Sequence, residues 1–226
     1  MKNALSILSS GLDSSVATAI AARSFNIVLA VTFNYGQLAA LCEIEHASRL
    51  AAHFGIEHLV IELPWLSRET KTALVNKKIV LPSPKPARLE KDAEKNAASV
   101  WVPGRNALLC AVAASVAEAR DIPVIIAGFN AEEALSFPDN SREFVDSINT
   151  LFKTSSKSKI KLESPTLNMT KTALAKMLPE LEIPPDCIWP CYRGGKKLCG
   201  RCESCARTIR AFKKAGNWKL IEERFE

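Results

Sequence analysis

Short apolar runs alternate with stretches of helical periodicity over the first 128 residues, and this alternation constrains the fold more than any other feature. The apolar runs, predicted as strands, are residues 4–8, 26–33, 58–63 and 122–128. The predicted helices cover residues 14–23, 39–54, 106–120 and, near the end of the chain, 203–214. Almost continuously apolar strands that alternate with helices are typical of a parallel sheet covered on both faces. The sequence therefore predicts an α/β fold with a parallel sheet of about five strands.

Composition narrows the class of protein. Of the 226 residues, 47% are hydrophobic and 24% are charged, as in ordinary globular domains. No apolar run approaches the roughly 20 residues of a membrane span, and the first residues lack the apolar core and cleavage site of a signal peptide. We therefore expect a cytoplasmic protein that does not enter a membrane. The formal net charge of +6 fits an anionic small molecule or RNA and does not choose between them.

Two stretches interrupt the alternation. Residues 76–99 carry several prolines followed by a charged run, residues 153–161 have the sequence KTSSKSKIK, and both are predicted as loops. Long loops inside compact domains are more often functional than accidental, although a tolerated surface insertion remains open for each. Towards the C-terminus, cysteine, glycine and basic residues replace the aliphatic pattern. We therefore expect a main α/β domain over 1–185 and a small module over 186–226 that belongs to the same globule.

Cysteines are concentrated near the C-terminus. Four of the seven lie within fifteen residues: Cys191, Cys199, Cys202 and Cys205. A reducing cytosol disfavours disulfides, so this cluster indicates metal ligands, and the scattered cysteines are expected to be small core residues. Two-residue gaps let neighbouring thiolates converge on one ion, and four sulfurs fill a tetrahedral zinc with no open position for water. A structural zinc site is the prediction, with free thiols or an iron–sulfur cluster as alternatives.

The segment LSILSSGLDSSVAT, residues 5–18, joins the first strand to the first helix through small and acidic residues. A helix N-terminus carries unpaired N–H groups and the positive end of the helix dipole, so it binds phosphate. Ser9, Ser10 and Gly11 allow a phosphate to approach closely, and Ser14 and Ser15 add hydroxyl donors. Asp13 would repel that phosphate unless a metal ion, usually Mg²⁺, bridges the two. A capped strand-to-helix turn without a ligand is the alternative interpretation.

The pattern Ser-x-Gly-x-Asp-Ser in this segment resembles the pyrophosphate loop of the ATP pyrophosphatase superfamily. Three further segments narrow the resemblance: FNYGQ at 33–37, VPGRN at 102–106 and GFNAEEALSFPDNSREF at 128–144. Together with the C-terminal cysteines, in this order along nearly the whole chain, they resemble the 7-cyano-7-deazaguanine synthases of the queuosine and archaeosine pathways. The resemblance implies a Rossmann-like sheet of the adenine nucleotide alpha hydrolase type, followed by a zinc-binding module.

The resemblance also implies a reaction. Enzymes of this family take 7-carboxy-7-deazaguanine, ATP and ammonia. ATP activates first the carboxylate and then the amide that ammonia forms, after which elimination leaves the nitrile. By the same resemblance we expect Mg²⁺ beside the ATP phosphates, structural Zn²⁺ on the four cysteines and a homodimer, and we do not expect a nucleic-acid partner.

The resemblance further assigns roles to individual residues. The predicted catalytic residues are Asp13, Arg105 and Lys171, the last of which follows a predicted helix cap at Thr170. The predicted ATP-binding residues are Leu8, Ser9, Ser10, Gly11, Leu12, Asp13, Ser14, Ser15, Phe33 and Gly128. The predicted substrate-binding residues are Tyr35, Gln37, Trp101, Arg105, Asn106, Asn130, Glu132, Phe137 and Asp139.

Two kinds of substrate contact are expected within this set. The aromatic side chains are candidates to stack on a flat purine-like ring, although single aromatic residues more often fill cores: Tyr35, Trp101 and Phe137. The polar candidates for the ring edge are Asn130, Glu132 and Asp139. Arg105 suits phosphate or carboxylate through its fork of donors, with a structural ion pair as the alternative. Lys171 equally suits a solvated surface position.

Three positions depart from the family's pattern. Ser10 stands where the family has a glycine, which costs ~1 kcal/mol if the backbone is left-handed. Leu38 and Ala39 replace Arg-His, and FPDNSREF replaces a Tyr-Pro-Asp-Cys-Arg pattern. Because these changes fall where substrate contacts are expected, a paralogue that joins an activated deazaguanine to a protein amine remains open. A second alternative is an RNA-binding protein that uses the basic residues of the zinc module: Arg193, Lys196, Lys197, Arg201, Arg207, Arg210, Lys213 and Lys214.

Overall fold

Five parallel strands form one sheet, in the order β3-β2-β1-β4-β5. The computed structural model describes residues 1–85 and 89–226. The strands are β1 Lys2–Ile7, β2 Phe25–Asn34, β3 Glu57–Glu62, β4 Val124–Ile126 and β5 Lys161–Glu163. β1 is central and pairs with both β2 and β4. The predicted α/β fold with a parallel five-stranded sheet is confirmed.

Eight α-helices flank the sheet within the described residues: α1 Leu12–Ala21, α2 Ala40–His53, α3 Pro64–Glu69, α4 Ala93–Val100, α5 Arg105–Ala119, α6 Arg142–Ser155, α7 Lys171–Met177 and α8 Glu203–Ala215. Four of them, α1, α2, α5 and α8, correspond to the helices predicted from periodicity, with ends that differ by at most two residues. Thr170 caps α7 as predicted, because its hydroxyl accepts from the Ala173 amide at 3.2 Å.

The alternation of side chains along the strands explains why the strands are apolar throughout. In β1, Ala4 packs into a core cluster with α1 and α8, whereas its neighbour Leu5 packs into a second cluster with α5 on the other face. Both residues are fully buried. The one polar residue at the centre of β1, Ser6, is bonded across to Thr18 of α1 at 2.7 Å. Helices therefore cover both faces of the sheet, so both faces of the sheet carry apolar side chains.

Both predicted loops contain regular structure, which corrects the sequence analysis. Within 76–99, the part from residue 93 onward forms most of α4, which buries Ala97 and Val100; Pro86, at the end of the proline run, lies outside the described residues. Within 153–161, α6 continues to Ser155 and β5 begins at Lys161. Lysine, serine and threonine suit the exposed face of a helix whose other face is apolar, so their presence did not end α6. The short helix α3 was also not predicted.

The order of the strands sets the position of a crevice. The chain runs outward from β1 through β2 to β3 and then returns to the other side of β1 to form β4 and β5. In open parallel sheets, ligands bind outside the carboxyl ends of the strands where the order reverses in this way. Here that point lies between β1 and β4, beside the start of α1.

The C-terminal segment packs onto the same core as the sheet. Phe212 of α8 is fully buried in the cluster that contains Leu8 and Leu12, and α8 packs along α7. Among residues 1–85 and 89–226, no single helix is both long and apolar enough to cross a membrane; α4 and α5 reach that length and composition only together, across a bend of 51°.

Candidate active site

A cavity of about 220 Å³ opens at the switch point between β1 and β4. Its lining includes thirteen of the residues predicted for catalysis, ATP or substrate: Leu8, Ser9, Gly11, Leu12, Asp13, Ser14, Phe33, Tyr35, Arg105, Asn106, Gly128, Phe137 and Lys171. We call the part formed by Ser9, residues 11–14, Gly128 and Lys171 the helix wall, and the part formed by Tyr35, Phe129 and Phe137 the aromatic wall. The cavity therefore brings a helix N-terminus and aromatic rings to one place.

The loop that leads into α1 is held by its own serines and by one distant amide. Ser10 has a left-handed backbone, with φ of +57°, and its hydroxyl donates to the Ser9 carbonyl at 2.6 Å. The Trp189 amide donates to the Ser10 carbonyl at 2.7 Å, and the Ser9 amide donates to the Ser14 hydroxyl at 3.2 Å. The backbone conformation of Ser10 is one that favours glycine, and glycine is the residue that the family's pattern has at this position.

Gly128 lets the chain leaving β4 pass directly against the start of α1. A Cβ atom at this residue would lie 2.5 Å from both the nitrogen and the Cα of Ser14, and 2.7 Å from the carbonyl carbon of Asp13. Real Cβ atoms do not approach backbone this closely, so no other residue fits here without displacing the first turn of α1. The shape of the helix wall therefore depends on a missing side chain.

A buried lysine joins two carboxylates on the helix wall. Lys171 Nζ lies 2.9 Å from Asp13 Oδ2 and 2.6 Å from Glu133 Oε1. Burial raises the pKa of Asp13 to about 6, with Lys171 opposing the shift. Burial acts in the same direction on Glu133, but there the ammonium outweighs it and lowers the pKa. Against the effect of its own burial, the two carboxylates raise the pKa of Lys171, so the lysine stays charged.

Glu133 lines the cavity, and sequence analysis did not identify it. The prediction named its neighbour Glu132, which instead accepts from the Lys171 amide at 2.9 Å and forms an ion pair with Arg210 at 2.8 Å. Both glutamates follow Asn130, whose side-chain oxygen accepts from their two amides and starts the turn. Two consecutive glutamates point in different directions in such a turn, and the sequence alone does not distinguish them.

The guanidinium of Arg105 is held beside the aromatic wall. Arg105 begins α5, donates to the Tyr35 hydroxyl at 3.2 Å and lies 5.8 Å from the centre of the Tyr35 ring. Next to it, Asn106 donates through Nδ2 to the Asp139 carbonyl at 3.2 Å, which ties α5 to the loop after β4. The ring of Phe137 lines the cavity and stacks behind on Trp101, with centroids 6.1 Å apart. A charged donor therefore lies beside apolar ring surface.

Glu43 of α2 also lines the cavity, and no sequence pattern singled it out. Gln37 Nε2 donates to Glu43 Oε2 at 2.8 Å and to the Phe33 carbonyl at 3.0 Å. The Gln37 oxygen accepts from the Tyr35 amide at 3.0 Å. Burial raises the pKa of Glu43 to about 7, while Gln37 and Arg105 oppose the rise.

Several predicted residues lie behind the cavity surface and not on it: Ser10, Ser15, Gln37, Trp101, Asn130, Glu132 and Asp139. Trp101 borders a separate shallow groove between α4 and the loop after β4. Asp139 Oδ1 accepts from the side-chain amide of its neighbour Asn140 at 3.2 Å. Ser15 is fully buried, and its hydroxyl has no partner among the described residues. Gln37, Trp101 and Glu132 contact residues that line the cavity, and whether any of the seven residues contacts a ligand stays a prediction.

The four clustered cysteines form a candidate metal centre. The sulfurs of Cys191, Cys199, Cys202 and Cys205 all lie within 4.8 Å of one another, and all four residues are buried. Zinc–sulfur bonds of about 2.3 Å in a tetrahedron place sulfurs roughly 3.8 Å apart, and Cys199 and Cys205 are separated by 3.9 Å. The amides of Arg193 and Cys202 each donate to a cluster sulfur at 3.3 Å, a contact that stabilises thiolates. The donor set therefore fits a closed four-sulfur site.

Two of the basic residues considered for RNA binding are engaged within the protein. Arg207 is paired with Glu203 at 2.5 Å on α8 and is buried. Arg210 is paired with Glu90 and Glu132. These arginines connect α8 to the segment before α4 and to the loop after β4, so their charges are not free on a solvated face.

Comparisons with known proteins extend over nearly the whole chain. The family model described as queuosine biosynthesis protein QueC matches residues 3–216. A 7-cyano-7-deazaguanine synthase of Methanosarcina mazei is 43% identical over 218 residues, covering 94% of each chain. One of Desulforamulus reducens is 45% identical over 216 residues, covering 95% of each. Nothing found favours the protein-amine or RNA-binding alternative.

A solved structure shares the fold at low sequence identity. A 4-thiouridine synthetase, in complex with RNA and with bound ATP, superposes with a TM-score of 0.54 and 16% identity, over 98% of this chain and 52% of that one. The likeness supports the arrangement of sheet and helices described above. From the family model and the full-length relatives together, the chain belongs to the queuosine biosynthesis protein QueC family.

Proposed function

We propose that this protein converts 7-carboxy-7-deazaguanine and ammonia to 7-cyano-7-deazaguanine and that it consumes ATP in doing so. Its family membership and its relatives, which bear the name of that activity, support this proposal. The observation that carries it is the cavity itself, in which a helix N-terminus with a glycine cradle faces the same space as an aromatic wall with an arginine. A nucleotide and a flat carboxylated ring require those two surfaces side by side.

The helix wall suits the phosphates of ATP. The first amides of α1 lack partners within the helix, and no side chain at Gly11 or Gly128 blocks an approach to them. Asp13 keeps one carboxylate oxygen, Oδ1, buried and without a partner among the described residues. Asp13 would hold a Mg²⁺ ion there, and the ion would offset the repulsion between this carboxylate and the phosphates. Lys171, already charged, would lie beside the pyrophosphate as it leaves.

The chemistry needs ATP because neither a carboxylate oxygen nor an amide oxygen leaves readily in water. Transfer of AMP to the carboxylate releases pyrophosphate, and ammonia then displaces AMP to form the amide. A second adenylation, on the amide oxygen, allows elimination of AMP and loss of two protons from nitrogen to give the nitrile. Arg105 supports each transfer, because its guanidinium offsets the negative charge of the carboxylate and phosphate brought together in the cavity.

The C-terminal part of the proposal is structural. We assign Zn²⁺ to the four cysteines, because four thiolates complete the coordination of zinc and leave no position for a reactive water. Residues 1–185 would then form the nucleotide-binding unit and residues 186–226 a zinc-held module of the same globule. We also propose the homodimer that the resemblance implies, which sedimentation of the purified protein would test.

Product mass after incubation with ATP, Mg²⁺, ammonium and 7-carboxy-7-deazaguanine tests the reaction directly. We expect nitrile and AMP, and a fall of at least about 100-fold in turnover for Arg105→Met. Arg120→Met is the control, because Arg120 is exposed and pairs only with Glu57 among the described residues. Absence of AMP formation would contradict the use of ATP. Unchanged substrate together with a mass gain on protein would instead support the protein-amine alternative.

A further inference from the structure

Three carboxylates line the cavity among the described residues, and two of them are already neutralised. Asp13 and Glu133 both contact the ammonium of Lys171. The third, Glu43, lies within 4 Å of no lysine, arginine or histidine nitrogen in the described part of the chain. Glu43 therefore has the capacity to accept hydrogen bonds from a ligand, and the reaction scheme above gives it no role.

Glu43 is held in place from one side only. Gln37 uses both of its Nε2 hydrogens, one on Glu43 Oε2 and one on the Phe33 carbonyl, and its own oxygen is occupied by the Tyr35 amide. The Gln37 side chain is buried, so it cannot turn to another partner. Glu43 Oε1 accepts no hydrogen bond from the described residues and is not fully buried, and Glu43 lines the cavity. One carboxylate oxygen is thus fixed by the protein while the other is available.

The groups around Glu43 complement the hydrogen-bonding edge of a guanine-like ring. The aromatic wall supplies flat apolar surface nearby, and Arg105 and Asn106 supply donors on that side of the cavity. A guanine-like ring presents two adjacent N–H donors, N1–H and the 2-amino group, next to a carbonyl oxygen. A carboxylate is the side chain that accepts from both donors, and such charge-assisted bonds are strong in surroundings that exclude water.

We propose that Glu43 is the specificity-determining residue of the cavity, and that it accepts hydrogen bonds from N1–H and the 2-amino group of a 2-amino-4-oxo ring. This inference rests on the proposed function and names the group that recognises the ring in that reaction. Gln37 is then a positioning residue, because it holds Glu43 without lining the cavity. The residues predicted from sequence for this role, Asn130, Glu132 and Asp139, do not line the cavity, and each accepts a hydrogen bond from another residue of the protein.

Equilibrium binding tests the inference without requiring turnover. The probes are 7-carboxy-7-deazaguanine and the same ring with hydrogen in place of the 2-amino group, titrated calorimetrically into the full-length protein. We expect the wild-type protein to prefer the amino-bearing ring by about 30-fold. In Glu43→Gln the amide would direct a donor at the ligand's donors, so the preference should fall to about threefold or less. Glu45→Gln, on the exposed side of the same helix, is the matched control and should retain the wild-type preference.

Three outcomes separate this inference from the proposed reaction. Equal affinity of the wild-type protein for both rings overturns the inference, whatever the variants do. A wild-type preference that persists in Glu43→Gln also overturns it, and this comparison is made on protein whose thermal unfolding is cooperative. A wild-type protein that shows the Glu43-dependent preference but forms no nitrile contradicts the proposed reaction and supports the assignment of Glu43. ATP affinity, measured in parallel, should be the same in all three proteins.

Discussion

Replacing Gly128 with alanine tests whether the helix wall depends on a missing side chain. The added Cβ would lie 2.5 Å from two backbone atoms of Ser14 and 2.7 Å from one of Asp13. Backbone in the first turn of a helix cannot move like the end of a flexible side chain, so the strain must be relieved by shifting β4 or α1. We expect Gly128→Ala to lower the free energy of unfolding by about 3 kcal/mol, the upper part of the range for overpacked interiors.

Alanine substitutions at two other glycines serve as controls that distinguish this clash from the ordinary effects of replacing glycine. Gly55 follows α2 with φ of +66° and open space around it, so Gly55→Ala should cost only the left-handed backbone, about 1 kcal/mol. Gly11 has φ of −62°, and its added Cβ would meet only the Ser9 hydroxyl at 3.5 Å. Gly11→Ala should therefore change stability by less than about 1 kcal/mol.

Urea unfolding of the three variants at one fixed zinc concentration gives the comparison, with stability read from the transition midpoint at constant slope. ATP binding, followed by calorimetry, should weaken in Gly128→Ala far more than in Gly55→Ala, because only the first change displaces the amides of α1. If the unfolding free energy of Gly128→Ala lies within about 0.5 kcal/mol of that of Gly11→Ala, the chain leaving β4 does not pass as closely against α1 as described above.

Three further predictions concern the loop, the buried carboxylate and the cysteines. Ser10→Gly should alter the unfolding free energy by less than about 1 kcal/mol, because relief of the left-handed serine offsets a lost hydrogen bond, whereas Ser10→Val should lose more than about 2 kcal/mol in the same urea assay. The pKa of Glu43 is raised from 4.5 to about 7, so the folded state binds this proton more tightly and wild-type stability should fall as pH rises from 4.5 through 7. Glu43→Gln should reduce this pH-dependent decrease in the free energy of unfolding by up to about 3 kcal/mol, measured by urea midpoints between pH 4.5 and 8. Cys202→Ser should abolish bound zinc in elemental analysis and destabilise the C-terminal segment, while Cys187→Ala should leave the zinc content unchanged.

Each of these predictions has an outcome that would contradict it. A Ser10→Val protein as stable as wild type would mean that the loop is not left-handed at this residue. A parallel pH dependence of wild type and Glu43→Gln would mean that the carboxyl group is solvated. Full zinc content in Cys202→Ser, or a broad visible absorbance band in anaerobically purified wild type, would exclude the closed zinc site.

The main elements of the fold were predictable because their signals are long and repeated. Residues 26–33 are almost entirely apolar, which is typical of a strand buried on both faces, and α5 follows a left-handed glycine at Gly104. The fifth strand, Lys161–Glu163, buries only its middle residue, and its identity as a strand comes from pairing with β4. Three residues carry no periodicity of their own, so only the neighbouring strand determines this element.

The candidate site was predictable at positions where close backbone packing requires a small residue. It was not predictable where the role of a side chain depends on what the fold places around it. Small residues at 9–11 and glycine at 128 follow from close approach between backbone segments. By contrast, Glu43 and Glu133 differ from other glutamates only in what the fold places around them. Gln37 shows the limit most clearly, because it occurs in a segment that resembles a binding motif and yet contacts Glu43 from behind the cavity surface.

The C-terminal part of the chain also contributes to the loop that begins α1. Ser10 has a left-handed backbone, and its carbonyl accepts from the amide of Trp189. The Trp189 ring packs against His46 of α2 with centroids 4.8 Å apart. Cys191, a member of the metal cluster, lies two residues after Trp189 and is buried. A left-handed serine persists only where surrounding contacts determine its conformation. The segment that leads into the four cysteines supplies one of those contacts, so a part of the chain distant in sequence from this loop helps to hold Ser9 and Gly11 in the conformation that lines the cavity.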